Sequence, residues 1–96
     1  MIASRRRFEH LLAEISVAVD ARISRYALWL RLREEDMDPE ALSRTDALAF
    51  CNGALPGFLA ERRLALSERE RRRLIRSVGR FDAELPTPEE RLSRWA

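Results

Sequence analysis

The chain has no lysine, one histidine, one cysteine and three glycines in 96 residues, and each scarcity removes a class of function. Cys51 can close no internal disulfide, so the fold must stand on its apolar core, as suits a reducing cytoplasm. No metal set can be assembled from one cysteine, one histidine and carboxylates without ligand spacing. The acidic residues 34–38 also lack the central glycine and terminal glutamate of a calcium loop. The glycines form no phosphate-cradling loop. Nucleophilic or acid–base catalysis needs a positioned partner, and His10 and Cys51 each stand alone. His10 reads as a partly exposed helix residue, and Cys51, beside Ala49 and Phe50, as a small core residue. No catalytic residue, metal or cofactor is expected, and the chain reads as a non-enzyme.

Long apolar runs are missing too. Nothing approaches the roughly 18 residues of a membrane span. Glu9, His10 and Glu14 interrupt the stretch behind the N-terminal arginines, where a secretion signal would need unbroken apolar sequence. A soluble, cytoplasmic protein without a membrane partner is expected.

What is present is 46% hydrophobic and 35% charged sequence, a globular rather than a disordered composition. Ninety-six residues suffice for one domain, 1–96, with a modest core. Leu12, Ile15, Val19, Ile23, Tyr26 and Leu30 recur at steps of three and four, which predicts one amphipathic helix from Ser4 to Glu34, about 45 Å long. Asp38-Pro39-Glu40 supplies a cap and a first-turn proline for a second helix, restarting near Thr45-Asp46 and ending at Asn52-Gly53. Pro56 opens a third helix to about Ala65. Ser67-Glu68-Arg69-Glu70 is a capping box, which starts a fourth helix running to Phe81. Thr87-Pro88-Glu89-Glu90 repeats that logic for a short last helix. No alternating strand pattern occurs. The fold class is all-α: a small helical bundle of four to five helices with a long N-terminal helix.

All 18 basic residues are arginine, and although the net charge is only +2, the charge comes in blocks. Residues 34–46 carry −5 and residues 67–81 carry +4. Three features of this patterning point toward partners. The first is on the fourth helix, where Arg69, Arg72, Arg73, Arg76 and Arg80 share one stripe about 16 Å long, opposite Leu74, Ile75, Val78 and Phe81. Such a stripe can meet phosphates of an RNA or DNA backbone but offers only Ser77 for reading bases, so contacts without sequence choice are expected. The third and fourth helices also have spacing that a helix-turn-helix permits, without the usual turn glycine.

The second feature is the polarity of the long helix. Arg5, Arg6 and Arg7 stand at its positive end and Glu34, Glu35 and Asp36 at its negative end, against its dipole. An antiparallel homodimer would turn each mismatch into an attraction between copies. The third is Tyr26-Ala27-Leu28-Trp29-Leu30-Arg31-Leu32, apolar nearly all round the helix, together with Trp95 near the end of the sequence.

The reading that follows is a non-enzymatic interaction or assembly subunit, docking on itself or on a larger protein complex. Tyr26, Trp29, Leu30 and Trp95 would be its apolar anchors, with Arg5 to Arg7 and Glu34 to Asp38 setting orientation. The alternative is a nucleic-acid-binding accessory protein, such as a small subunit of a ribonucleoprotein complex, working through the arginine stripe.

Overall fold

The structure, a computed structural model, describes residues 2–81, with side chains from Arg5 to Phe81. Five α-helices occur among the described residues: α1 (Ile2–Val19), α2 (Arg25–Glu34), α3 (Arg44–Asn52), α4 (Leu55–Ala60) and α5 (Glu68–Arg80). A 3-10 turn at Pro39–Ala41 precedes α3, and no strand is present among these residues. The chain is an all-α bundle, as its periodicity predicts. The predicted last helix, from Thr87, and Trp95 lie outside the described residues.

The principal correction concerns the long first helix. It is two helices, because the chain leaves helical geometry after Val19 and re-enters it at Arg25. Asp20 adopts a left-handed φ of 50°, and the Ala21 amide donates to the Ser16 carbonyl at 3.1 Å, closing α1 in the manner of a Schellman end. Ser24 then caps α2, its side chain accepting from the Ala27 amide at 3.2 Å. Ile23 before that cap and Leu28 four residues beyond it are both buried, the placement of a hydrophobic staple. The remaining α1 is still the longest helix, 18 residues and about 27 Å.

The 3-10 turn, α3 and α5 start at side-chain caps, whereas α4 follows Ala54 with no side-chain cap and Pro56 in its first turn. Asp38 accepts from the Glu40 amide at 2.9 Å and opens the 3-10 turn. Ser43 rather than Asp38 caps α3, accepting from the Asp46 amide at 3.0 Å, and Gly53 ends it. At α5 the capping box forms in full: Ser67 Oγ accepts from the Glu70 amide at 3.1 Å and the Ser67 amide donates to Glu70 Oε1 at 2.7 Å. Helix α4 ends earlier than Ala65, because Arg63 turns left-handed at φ 59° and Leu64 bonds back to the Leu59 carbonyl at 2.9 Å. The α4–α5 connector therefore spans residues 61–67, longer than the three or four residues of a helix-turn-helix, and that reading falls.

One continuous core joins these elements. Phe8, Leu11 and Ile15 of α1, Leu28 and Leu32 of α2, Phe50 of α3, Phe58 and Leu59 of α4, and Leu74 and Val78 of α5 are all buried in it. Phe50 and Phe58 meet edge to face, 6.3 Å between centroids. Helix α5 packs on α1 and α3, while α1 and α2 both lie against the 3-10 turn. No helix among the described residues is long and apolar enough to cross a membrane.

Candidate interaction surfaces

The break at residues 20–24 decides which residues of α2 face outward. In one unbroken helix Tyr26 and Leu30 would continue the core-facing stripe of Leu12, Ile15 and Val19. After the break the helix enters with a new phase, and Leu28 and Leu32 are fully buried instead. Tyr26 is left 68% exposed and Leu30 39% exposed, among the few large apolar side chains that meet solvent. Trp29 lies between the two states: half-buried, packed against the core edge, with the Arg33 guanidinium 5.2 Å from its ring centroid. Tyr26, Trp29, Leu30 and Arg33 recur at i, i+3, i+4 and i+7, so they share one face within an arc of about 100°. Helix α2 thus has two apolar faces. The core takes one.

On one flank of that outer face, α1, α2 and the 3-10 turn enclose a cleft of ≈ 300 Å³. Phe8, Trp29 and Pro39 supply apolar walls, Tyr26 and Arg5 stand at the rim, and Arg25 pairs with Glu9 beside them. The sequence-predicted residues Arg5, Tyr26 and Trp29, scattered over 25 positions, are brought to one place. On the other flank Tyr26, Leu30 and Glu34 border a hollow of ≈ 260 Å³ against Phe58 of α4 and Arg62 just beyond it.

The remaining predicted charges fall elsewhere. Arg6 and Arg7 are half-buried and already engaged: Arg7 Nη1 donates to the Phe81 carbonyl at 3.3 Å and its guanidinium lies 5.5 Å from the Phe81 ring centroid. Glu35 pairs with Arg31 at 3.6 Å, and Arg31 also reaches Glu61, the C-cap of α4, at 3.1 Å. The N-terminal arginines and Glu34–Glu35 belong to different helices, so the single misaligned dipole that motivated an antiparallel homodimer does not exist. Trp95 lies outside the described residues.

Helix α5 presents its arginines as the periodicity predicts: Arg69, Arg72, Arg73, Arg76 and Arg80 are all exposed, while Leu74 and Val78 are buried. Four of the five border a shallow depression of ≈ 560 Å³ together with Glu68. Arg72 Nε meets Glu68 Oε1 at 3.3 Å, and Arg71, on the opposite side of the helix, meets the same oxygen at 3.1 Å and Asn52 Oδ1 at 3.2 Å. These hydrogen bonds, the one from Arg71 first, hold the Glu68 carboxyl below its ordinary range. No ion pair among the described residues joins the stripe to the acidic block at 34–46.

Sequence reasoning missed a polar cluster between α1 and α5. Ser77 Oγ donates to Glu14 Oε1 at 2.6 Å, the same oxygen lies 3.2 Å from His10 Nε2, and the His10 ring stacks on Phe81 at 4.1 Å. Burial lowers the His10 pKa below its ordinary 6.5, against the opposing pull of Glu14. The carboxylate sits between serine and histidine, so the imidazole does not reach the hydroxyl as a general base would have to. The i, i+4 spacing of His10 and Glu14 was visible, but the 63-residue separation of Glu14 and Ser77 gave no signal. Among the described residues no three metal-ligating side chains converge.

These surfaces belong to a small all-α bundle. No known protein family, curated protein or solved structure matches the chain.

Proposed function

We propose that this protein is a non-enzymatic interaction subunit that docks on a partner protein through the outer face of α2. The observation that carries the reading is the second apolar face of that helix, with Tyr26, Trp29, Leu30 and Arg33 at i, i+3, i+4 and i+7 beside a cleft walled by Phe8 and Pro39. That spacing is the one by which helices pack on one another, and a tyrosine, a tryptophan and an arginine together are the residue types that carry most binding energy at protein interfaces. Arg5 and Glu40 at the cleft rim would orient the partner, whose inserted group is a large apolar side chain. A reducing compartment, the cytoplasm, suits a domain with one buried thiol.

The test follows the chain in extracts of the cells that make it. By size-exclusion with light scattering, the wild type is expected in a species larger than its own 11.2 kDa, and Tyr26→Ser/Leu30→Ser at its own mass. A wild type at its own mass throughout would oppose the reading. So would a double variant that stays in the large species.

A further inference from the structure

The outer face of α5 is a separate surface that protein docking through α2 leaves unused. Exposed arginine rows ordinarily attract carboxylates from neighbouring turns, yet the acids nearest this row are spoken for. Glu70 is turned back into the capping box, and Glu68 divides itself between Arg71 and Arg72. No hydrogen bond or ion pair engages Arg69, Arg73, Arg76 or Arg80 among the described residues.

We infer that this face binds the phosphate backbone of a nucleic-acid duplex without reading its sequence. Each guanidinium offers a planar fork of donors that fits phosphate oxygens in pairs. The row from Arg69 to Arg80 rises about 16 Å along the axis. One strand of a duplex presents a charge about every 3.4 Å of axis while winding round it, so a straight row of this length faces the few phosphates on its own side, with more than one arginine to each. The face carries no mixed set of donors and acceptors for choosing among base pairs, because Ser77, the one other hydrogen-bonding side chain near the arginines, donates inward to Glu14 at 2.6 Å. An acidic protein is the poorer fit, since the stripe carries no aromatic or aliphatic anchor. An anionic membrane is poorer still, because the apolar face that would enter the lipid, Leu74 and Val78, is buried against the bundle.

The experiment titrates the protein into labelled DNA and RNA duplexes of about 20 base pairs, each also in scrambled sequence, across a series of salt concentrations. Binding indifferent to scrambling is expected, with log K falling against log salt at a slope of about −2 to −3. The duplex bound more tightly identifies which nucleic acid is the natural ligand. Arg73→Glu/Arg76→Glu should lose at least about tenfold in affinity at low salt while keeping the wild-type circular dichroism and melting temperature. Three results would overturn the inference: no binding to either duplex at about 50 mM salt, unchanged binding by the folded double variant, or equal binding to vesicles of anionic phospholipid. Tyr26→Ser/Leu30→Ser should bind duplex as the wild type does, so failure of this surface and failure of the α2 surface are read separately.

Discussion

Arg63 holds a left-handed backbone, φ 59°, at the end of α4, with its side chain exposed and in no ion pair or hydrogen bond among the described residues. A long L side chain pays about 1 kcal/mol or more for that conformation, which glycine adopts freely. Arg63→Gly is therefore expected to raise stability by about 0.5–1 kcal/mol, or a few degrees in melting temperature. An unchanged or lower melting temperature would contradict the strained-cap account. Cys51 behaves oppositely, since burial pushes its thiol up to about 12 and keeps it protonated at neutral pH. The native chain should resist a thiol reagent that labels the unfolded chain at once. Its place in the core was legible from its apolar neighbours; the raised pKa follows only from the packing.

His10 makes stability depend on pH. Its folded pKa lies below 6.5, so between the two values the unfolded chain binds more protons than the folded one. Stability is then greatest above about 6.5 and falls as the pH drops through that value toward the folded pKa. Between about pH 7.5 and 5.5 the wild type should lose more melting temperature than His10→Gln, whose side chain cannot take up the proton. Equal losses would place the titration elsewhere.

At the scale of elements, starts were easier to read than stops. Serine and aspartate caps, the Ser67–Glu70 box above all, act through side chains whose identity is in the sequence, and α5 begins where they say. The ends of α1, α2 and α4 turn instead at Asp20, Asp36 and Arg63, where glycine would have been the legible sign. That is why the apolar pattern ran through residues 20–24 unbroken and placed Tyr26 and Leu30 on the wrong side of the core. Ser24 discriminates the two descriptions. In a continuous helix Ser24→Ala would stabilise slightly, since alanine is the better helix former, by about 0.5 kcal/mol. With Ser24 capping α2, the same change should cost about 1 kcal/mol in denaturant unfolding.

Across the whole molecule, the exposed apolar face of α2 and the arginine stripe of α5 lie on different helices. Helix α1 lies between the two surfaces, walling the cleft with Phe8 and Glu9 while α5 packs along it. Arg7 and Arg44 both donate to the Phe81 carbonyl at 3.3 Å, tying down the C-terminal end of α5 where cations also suit its dipole. The arginine stripe was fully legible, because all its members lie on one helix and one period describes them. The cleft of Arg5, Tyr26 and Trp29 was legible only as a set of residues, since its shape depends on the angle at which α2 leaves α1.

The central claim, that the outer face of α2 is where a partner protein sits, is tested most directly by a photo-crosslinking amino acid placed at position 30 and, as control, at position 63. A protein adduct of one fixed mass should form from position 30, not from position 63, and should vanish when Tyr26→Ser is added to a chain that still melts like the wild type. No adduct from position 30, or the same adducts from both positions, would contradict it.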